Sequence, residues 1–165
     1  MRNNIIMGYE IDNQWKLWYH SIKDNNWTKS SYNELYTVQN LFDYYFITNH
    51  FKQNHYQNGM FFLMKENVFP NWEDPRNREG GCLSFKVRSC NILNEWNELL
   101  LRCITNNILN HGNESINGIS ISPKKEFNIV KIWFANNKPN DHKGNYNGFG
   151  NDFQLSNSIY KKHDI

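Results

Sequence analysis

The sequence lacks the features that mark a secreted, membrane-bound or metal-dependent protein. It has only three cysteines, Cys82, Cys90 and Cys103, and they form no Cys-x-x-Cys pair. An odd number of widely spaced cysteines favours reduced thiols inside the cell. The first residues include no apolar run of signal-peptide or transmembrane length, so we expect a cytoplasmic protein with no membrane partner. The six histidines form no ligand pattern, so we expect neither a metal nor another cofactor.

A strong net charge is also missing. The formal charge is +2 at pH 7, whereas a general binder of duplex DNA normally carries a strongly basic face. DNA is therefore not an expected partner, although a small local basic patch is compatible with this balance. A chain of 165 residues has the length of one domain. We expect a monomer with a single domain over residues 1–165, a core over about 9–160 and a mobile loop over about 136–152.

Aromatic residues, by contrast, are abundant, at 16% of the chain with six tryptophans. Some of them follow the period of a β-strand. Residues 14–20 alternate, with Trp15, Leu17 and Tyr19 on one side and Trp18 and His20 on the other, which predicts a strand with two different faces. Further strands are predicted at 60–65 and 84–88, in a hairpin that pairs 118–122 with 129–134, and at 153–160.

Two substantial helices are predicted from apolar residues at helical spacing. Thr37 is a plausible N-cap for a helix over about 38–50, and Asn91 for a longer helix over about 92–109. Leu93, Trp96 and Cys103 belong to the apolar stripe of the longer helix. Helices among several short strands favour an α+β domain, in which the helices pack on the convex face of a curved antiparallel β-sheet.

The loop over residues 69–81 has the most unusual composition. Two prolines and the pair Gly80-Gly81 argue against regular structure, yet this loop carries Trp72 beside Glu73 and Asp74. An exposed indole next to a carboxylate suits a flat, cationic ligand that donates hydrogen bonds, because the ring stacks and the carboxylate accepts. The alternative is that Trp72 folds back into the core and the carboxylates are merely solvated.

Several aromatic motifs occur together in a fixed order. They are Trp15-Lys-Leu-Trp18, an isolated Trp27, Thr37-Val38, Trp72-Glu73-Asp74, Gly80-Gly81, Trp96 with the leucines that follow it, and Ile132-Trp133. In this order the chain resembles the eukaryotic translation initiation factor 4E family, whose members bind the 7-methylguanosine cap of messenger RNA. The resemblance covers about residues 9–134, and its most specific part is the segment from Trp-Glu-Asp to Gly-Gly.

The resemblance implies a binding site for the methylated base, and no catalytic residues. Trp27 and Trp72 would stack on the two faces of the cationic guanine, and Glu73 would accept hydrogen bonds from its edge. Trp133 would contact the methyl group. The chemistry agrees with these roles, since a positively charged base gains both stacking and cation–π attraction between two indoles.

The resemblance also implies cations for the triphosphate of the cap. Lys124 aligns with a phosphate-binding arginine of the family, Lys125 is its neighbour in the same turn, and Arg78 or Arg76 is a further candidate. Basic residues in an exposed turn are, alternatively, only solvated. The chain departs from the family at Cys82-Leu83, where Arg-Trp is usual, at Glu126 and Ile129, where lysines are common, and at Phe42, which replaces a tryptophan.

On its other face the family binds a scaffold protein or a repressor through a Tyr-x-x-x-x-Leu-apolar helix. The matching positions are Val38 and Phe42 on the first predicted helix and Leu101 and Ile104 on the second. Leu101 lies beside the apolar stripe of its helix, so an exposed apolar patch is physically reasonable. Alternatively, Leu101 only widens the buried face of that helix.

Three functions remain open at this stage. The first is a non-enzymatic cap-binding protein that acts in translation, either as an initiator or as a repressor. The second is a module that stacks ordinary bases of single-stranded RNA, although the chain has no Lys/Arg-Gly-Phe-Gly-Phe run. The third is a hydrolase that uses Glu73 and Asp74. Neighbouring carboxylates on a loop usually point apart, which argues against this function.

Overall fold

The computed structural model describes residues 9–138 and 143–163. Its strands form one antiparallel sheet in the order β2-β1-β3-β5-β6-β4-β7. The strands are β1 (Glu10–Ser21), β2 (Tyr32–Asn40), β3 (Gly59–Lys65), β4 (Gly81–Arg88), β5 (Ile116–Pro123), β6 (Phe127–Phe134) and β7 (Ser158–Lys162). The α-helices are α1 (Leu41–His50), α2 (Gln53–Asn58) and α3 (Ile92–Ile104). A curved antiparallel sheet with helices on one face confirms the predicted α+β fold class.

The alternation of side chains gives the sheet two different faces. On β3, Phe61 and Leu63 belong to a large apolar cluster that the helices cover, whereas Phe62 and Met64 belong to a smaller cluster on the opposite side. We call the first side the helix face. We call the second the loop face, and its buried cluster consists of Tyr32, Phe62, Met64, Val68, Cys82 and Trp133. The predicted alternation of residues 14–20 is confirmed, since Trp15 and Leu17 lie in the large cluster and Trp18 packs against the small one.

The predicted start of the first helix is wrong. Residues 38–40 belong to β2, which pairs with β1 so that Val38 lies opposite Trp15. The N-cap of α1 is Asn40, whose side-chain oxygen accepts a hydrogen bond from the N–H of Asp43 at 3.1 Å. Val38 has helical spacing with the residues that follow it, but its complete burial in β2 favours the strand.

The longer helix ends about five residues earlier than predicted. Helix α3 stops at Ile104, and Asn106 has a φ of 58°. Asparagine tolerates this left-handed conformation better than most residues do. Many helices end at a residue in this conformation, which is usually glycine and sometimes asparagine. The N–H of Asn107 donates to the carbonyl oxygen of Arg102 at 2.8 Å, which satisfies one of the last carbonyl groups of the helix.

The C-terminal half contains one confirmed hairpin and two differences from prediction. Strands β5 and β6 pair with Ser122 opposite Ile129, as expected. The last strand lies at Ser158–Lys162, later than predicted. Of the loop predicted over 136–152, residues 139–142 lie outside the described residues. Within the rest, Tyr146 and Asp152 are buried, so this part packs against the core.

Two general findings concern what the described residues do not contain. No helix in ranges 9–138 and 143–163 combines the length and apolar character needed to cross a bilayer. Within the same ranges, no group of three or more histidine, cysteine or acidic side chains is arranged to hold a metal ion.

Candidate functional site

The loop between β3 and β4 is organised around a buried asparagine. The side chain of Asn77 has no solvent exposure. Its amide donates to the carbonyl oxygens of Phe69 at 3.1 Å and Asn71 at 2.8 Å, and its oxygen accepts from the Asn117 amide at 2.9 Å. Its backbone carbonyl lies 2.7 Å from Nδ1 of His163. These bonds fix the loop to β5 and to the residue that follows β7, so its outer residues project from a rigid base.

Trp72 and Glu73 occupy the exposed part of this loop. Trp72 is 42% exposed, so the alternative in which its indole folds back into the core is wrong. Glu73 is also exposed, and in the described residues its carboxylate has no hydrogen bond or ion pair. The adjacent Asp74 has a different role, because its carboxylate accepts the backbone N–H groups of Phe69 and Arg76 at 3.2 and 2.9 Å. Asp74 therefore shapes the loop, whereas Glu73 is available to a ligand.

Trp27 is presented by the loop after β1 and is held from behind by a histidine. Its indole is 48% exposed, and it stacks on His20 with ring centroids 3.9 Å apart and an angle of 4° between the planes. His20 is completely buried, and its two ring nitrogens lie 2.9 and 2.8 Å from the carbonyl oxygens of Ser21 and Asn26. One face of Trp27 is thus supported by the protein while the indole remains half exposed.

The two exposed tryptophans line two neighbouring cavities on the loop face. The first cavity, which we call the Trp27 cavity, has a volume of about 440 Å³ and is also lined by Phe69, Asn71 and Glu73. The second, the Trp72 cavity, has a volume of about 340 Å³ and is lined by Trp72, Cys82, Ser84, Lys131, Trp133, Lys161, Lys162 and His163. The structure thus places Glu73 with Trp27, and Trp133 with Trp72.

Trp133 is fixed in the floor of the loop face. It is 7% exposed, and its Nε1–H donates to Oγ of Ser120 at 2.9 Å. On the neighbouring strand, burial raises the pKa of the Cys82 thiol to about 12, so this thiol remains neutral. The cysteine carries no charge, and the positive charge around Trp133 comes from Lys131 on β6 and from Lys161 and Lys162 on β7.

The predicted phosphate-binding residues are distributed over several places. Lys124 lines a third cavity of about 280 Å³ together with Lys131 and Trp133, and Lys125 is exposed in the same turn. The Nε–H of Arg78 donates to the backbone carbonyl of Glu73 at 2.8 Å, so this arginine also supports the loop. Arg76 lines a separate cavity with Lys65 and Asn117, away from the tryptophans.

Sequence reasoning did not find four of the residues that build this face. Asn77 and His20 support the two tryptophan loops, while Lys131 and Lys161 line the Trp72 cavity. The period-two pattern placed His20 on the same side as Trp18, which was the available signal for its position. No local signal marked the other three, because their contacts depend on strands that are distant in sequence.

The helix face holds the residues expected to bind a scaffold, but only part of the expected patch is accessible. Phe42 is 59% exposed on α1, and Leu101 on α3 is half-buried. Val38 has 0% exposure and Ile104 only 1%, because both pack in the large apolar cluster. A patch that includes Val38 and Ile104 is therefore not present at the surface of this structure. Two further aromatic residues of α1, Tyr45 and Phe46, are exposed three and four residues after Phe42, and sequence reasoning did not assign them to the patch.

The curved sheet carries helices on one face, and exposed indoles, a carboxylate and lysines on the other. This arrangement is suited to binding a flat, charged ligand. A family model described as eukaryotic initiation factor 4E matches residues 10–158, which is most of the chain. The chain therefore belongs to the eukaryotic initiation factor 4E family.

Individual relatives are distant. The chain is 27% identical to eukaryotic translation initiation factor 4E1 of Drosophila melanogaster over 141 residues, which cover 82% of this chain and 53% of that protein. It is 22% identical to eukaryotic translation initiation factor 4E of Dictyostelium discoideum over 137 residues, with 78% and 53% covered. The chain thus spans about half the length of these relatives.

Solved structures share the fold. One is a complex of eIF4E-3 of C. elegans with the 4E-binding protein Mextli and a cap analog, which matches with a TM-score of 0.70 and 22% identity over 78% of this chain and 75% of that one. Another is schistosome eIF4E complexed with m7GpppG and 4E-BP, with a TM-score of 0.72 and 16% identity over 81% and 76%. At these identities the likeness shows the fold alone.

Proposed function

We propose that this chain is a non-enzymatic protein of the cytoplasm that binds the 7-methylguanosine cap of messenger RNA and acts in translation. The observation that supports the proposal best is the position of Trp27, Trp72 and Glu73. Two indoles are exposed on two loops, and the Glu73 carboxylate, which lines the Trp27 cavity, has no partner in the described residues. Membership of the initiation factor 4E family and solved relatives that hold cap analogs support the same function.

The proposed contacts account for a preference for the methylated base. Stacking on an indole contributes roughly 1–3 kcal/mol per base, and the positive charge of the methylated guanine adds about 0.5–2 kcal/mol of cation–π attraction. Hydrogen bonds from the base edge to the Glu73 carboxylate contribute roughly 1.5–3 kcal/mol, because the acceptor is charged. Unmethylated guanine retains the hydrogen bonds and loses the cation–π contribution.

The two proposed stacking surfaces belong to different cavities. Trp27 and Glu73 line one cavity, and Trp72 lines the next. We propose that the Trp72 indole turns toward Trp27 when the base enters, while the loop base around Asn77 remains in place. Trp27 needs no such motion, since His20 already supports it from behind.

Tryptophan fluorescence tests the proposal. The intact chain is titrated with 7-methyl-GTP and, separately, with GTP, and we expect quenching that is strong only for the methylated nucleotide. Trp72→Ala should abolish retention on a resin that carries 7-methyl-GTP. Tyr45→Ala, an exposed aromatic residue on the opposite face, is the matched control and should be retained like the unaltered chain.

The other outcomes decide between the remaining functions. An equal response to GTP and 7-methyl-GTP would favour a single-stranded RNA module without cap specificity. Conversion of the nucleotide to a product would favour an enzyme. Full retention of the Trp72→Ala variant on the resin would overturn the proposed base site.

We further propose that the helix face binds a scaffold protein or a repressor through a Tyr-x-x-x-x-Leu-apolar helix, with Phe42 and Leu101 as its contacts. The support is the exposure of Phe42 and the position of Leu101 on the neighbouring helix. Recruitment of a scaffold would make the chain an initiator, and binding of the cap without recruitment would make it a repressor.

A further inference from the structure

The Trp72 cavity is positively charged. Three of its lining residues are lysines, Lys131, Lys161 and Lys162, and no carboxylate is among the described side chains that line it. The indoles of Trp72 and Trp133 also line it, together with Cys82, Ser84 and His163. Cations clustered beside aromatic rings in a partly enclosed space attract anions more strongly than the same cations do on an open surface.

The sheet places two of these lysines on opposite sides of β4. Ser84 of β4 lies opposite Lys131 of β6, and Cys82 lies opposite Lys161 of β7. Directly opposite residues of antiparallel strands point to the same face, so both lysines share the loop face with Cys82 and Trp133. Their strands are about 10 Å apart, twice the spacing of neighbouring strands. An anion of extended shape can therefore contact both side chains.

Lys131 also connects this cavity with the next one. It lines the third cavity together with Lys124, and Trp133 forms part of both walls. Lys124, Lys131 and Lys161 thus lie along one continuous part of the loop face. A single phosphate needs one or two cations, whereas a row of three suits a chain of several phosphates.

We propose that Lys131 and Lys161 bind the phosphate chain that follows the cap base, and that they replace the cation missing at Cys82. The inference rests on the proposed cap-binding function, because the base at Trp72 determines where the phosphates begin. It assigns phosphate binding to β6 and β7, whereas the sequence directed attention to the turn at Lys124 and Lys125. Cys82 contributes shape to the floor of the cavity and no charge.

The experiment compares two ligands that differ only in their phosphates. Affinities for 7-methyl-GMP and 7-methyl-GTP are measured by fluorescence for the intact chain and for the double variant Lys131→Gln, Lys161→Gln, which removes both charges and leaves polar side chains that are one atom shorter. We expect the advantage of the triphosphate over the monophosphate to fall by about tenfold, the loss of roughly one charge-assisted hydrogen bond, and 7-methyl-GMP to bind as before.

Two further variants make the result specific. Lys131→Arg with Lys161→Arg retains both charges and should restore the advantage of the triphosphate. Lys52→Ala removes an exposed lysine at the start of α2, outside the cavity, and should have no effect. The affinity of the glutamine variant should also depend less on salt concentration, since fewer ionic contacts form.

The remaining outcomes overturn the inference or the proposed function, and they can be distinguished. Equal losses for both ligands would mean that the lysines act on the base site or on folding, and an unchanged triphosphate advantage would mean that they do not contact phosphate. Either result overturns the inference. If the intact chain binds neither methylated nucleotide, the proposed cap-binding function itself fails.

Discussion

The two faces of the sheet differ in how they use aromatic residues. On the helix face, 27 buried residues of the described ranges form one apolar cluster, and Trp15 and Trp96 lie inside it with at most 1% exposure. On the loop face, the buried cluster has only six members, and Trp27 and Trp72 remain almost half exposed. The same residue type thus stabilises the fold on one side and is available for binding on the other.

This difference explains how the chain can expose large apolar side chains and still fold. The burial that stabilises the sheet is concentrated on the helix face, where apolar area is removed from water. The loop face needs only enough packing to hold two loops in place, which Asn77 and His20 provide through hydrogen bonds and stacking. Substitutions on the two faces should therefore have different consequences.

The largest expected effect is a loss of stability on the helix face. Trp96→Ala removes a completely buried indole, and such truncations lower the free energy of unfolding by about 3–5 kcal/mol. Chemical denaturation followed by circular dichroism measures the change. Trp27→Ala, measured in parallel, should lower stability by less than about 1 kcal/mol because half of its indole is already exposed. Similar losses for both variants would contradict the division between the faces.

The second effect concerns binding and should appear on the loop face alone. Trp27→Ala removes one of the two proposed stacking surfaces, and we expect affinity for 7-methyl-GTP to fall by about 1–3 kcal/mol. His20→Ala, which keeps the indole and removes its support, should cause a smaller loss. Fluorescence titration measures both. An unchanged affinity for Trp27→Ala would show that the base lies elsewhere.

The third prediction tests whether the helix face is a binding surface. Phe42→Ala removes an exposed ring, and we expect a peptide with the Tyr-x-x-x-x-Leu-apolar motif to bind about 1–2 kcal/mol more weakly. Leu101→Ala should also weaken capture of the peptide in a pull-down. Both variants should still be retained on the 7-methyl-GTP resin. Loss of both activities together would contradict two separate binding faces.

The smallest change should depend on pH and arise at Glu95, a buried carboxylate on α3. Burial raises the pKa of Glu95 above its usual range, and the N–H of Asn151, which donates to Oε1 at 3.0 Å, opposes this in part. A raised pKa in the folded state means that folding favours the protonated form. The stabilising contribution is therefore complete below the unfolded pKa of about 4.3 and is lost as pH rises through the folded pKa.

The substitution Glu95→Gln tests this direction of the pH dependence. The free energy of unfolding of the variant, relative to that of the unaltered chain, should be higher at pH 7 than at pH 4, by less than about 1 kcal/mol. Glu79→Gln, at an exposed carboxylate, is the control. A relative stability of the Glu95 variant that falls as pH rises would contradict the expected direction.

Local patterns were sufficient to predict much of the sheet. The alternation around Trp15 and Trp18 predicted two faces, and the apolar runs around Pro123 predicted the β5–β6 hairpin. At the site, the composition of the 69–81 loop left two alternatives for Trp72, exposed or folded into the core, and the exposed one is observed. These signals are local, since each depends on the residues immediately around it.

The errors arose where the structure depends on pairing with a distant strand or on the backbone conformation of a single residue. Val38 has helical spacing with the residues after it, yet pairing with β1 places it in a strand. The end of α3 depends on the conformation of Asn106, which its residue type permits but does not require. The surroundings of Lys131 and Lys161 could not be inferred, because β7 joins β4 from more than 60 residues away in sequence. The apolar pattern within one segment does not predict which strands pair with it in the sheet.

The pair Gly80-Gly81 links the tryptophan loop to the sheet at a point where no side chain fits. A methyl group on Gly80 would overlap the carbonyl oxygen of Phe134 at the end of β6, and one on Gly81 would overlap that of Lys161 on β7. A side chain at Gly80 would therefore displace the end of β6, which carries Trp133, and one at Gly81 would displace β7, which carries Lys161. The two glycines thus keep the Trp133 ring and the Lys161 side chain at a fixed separation. This separation limits the size of a ligand that can contact both.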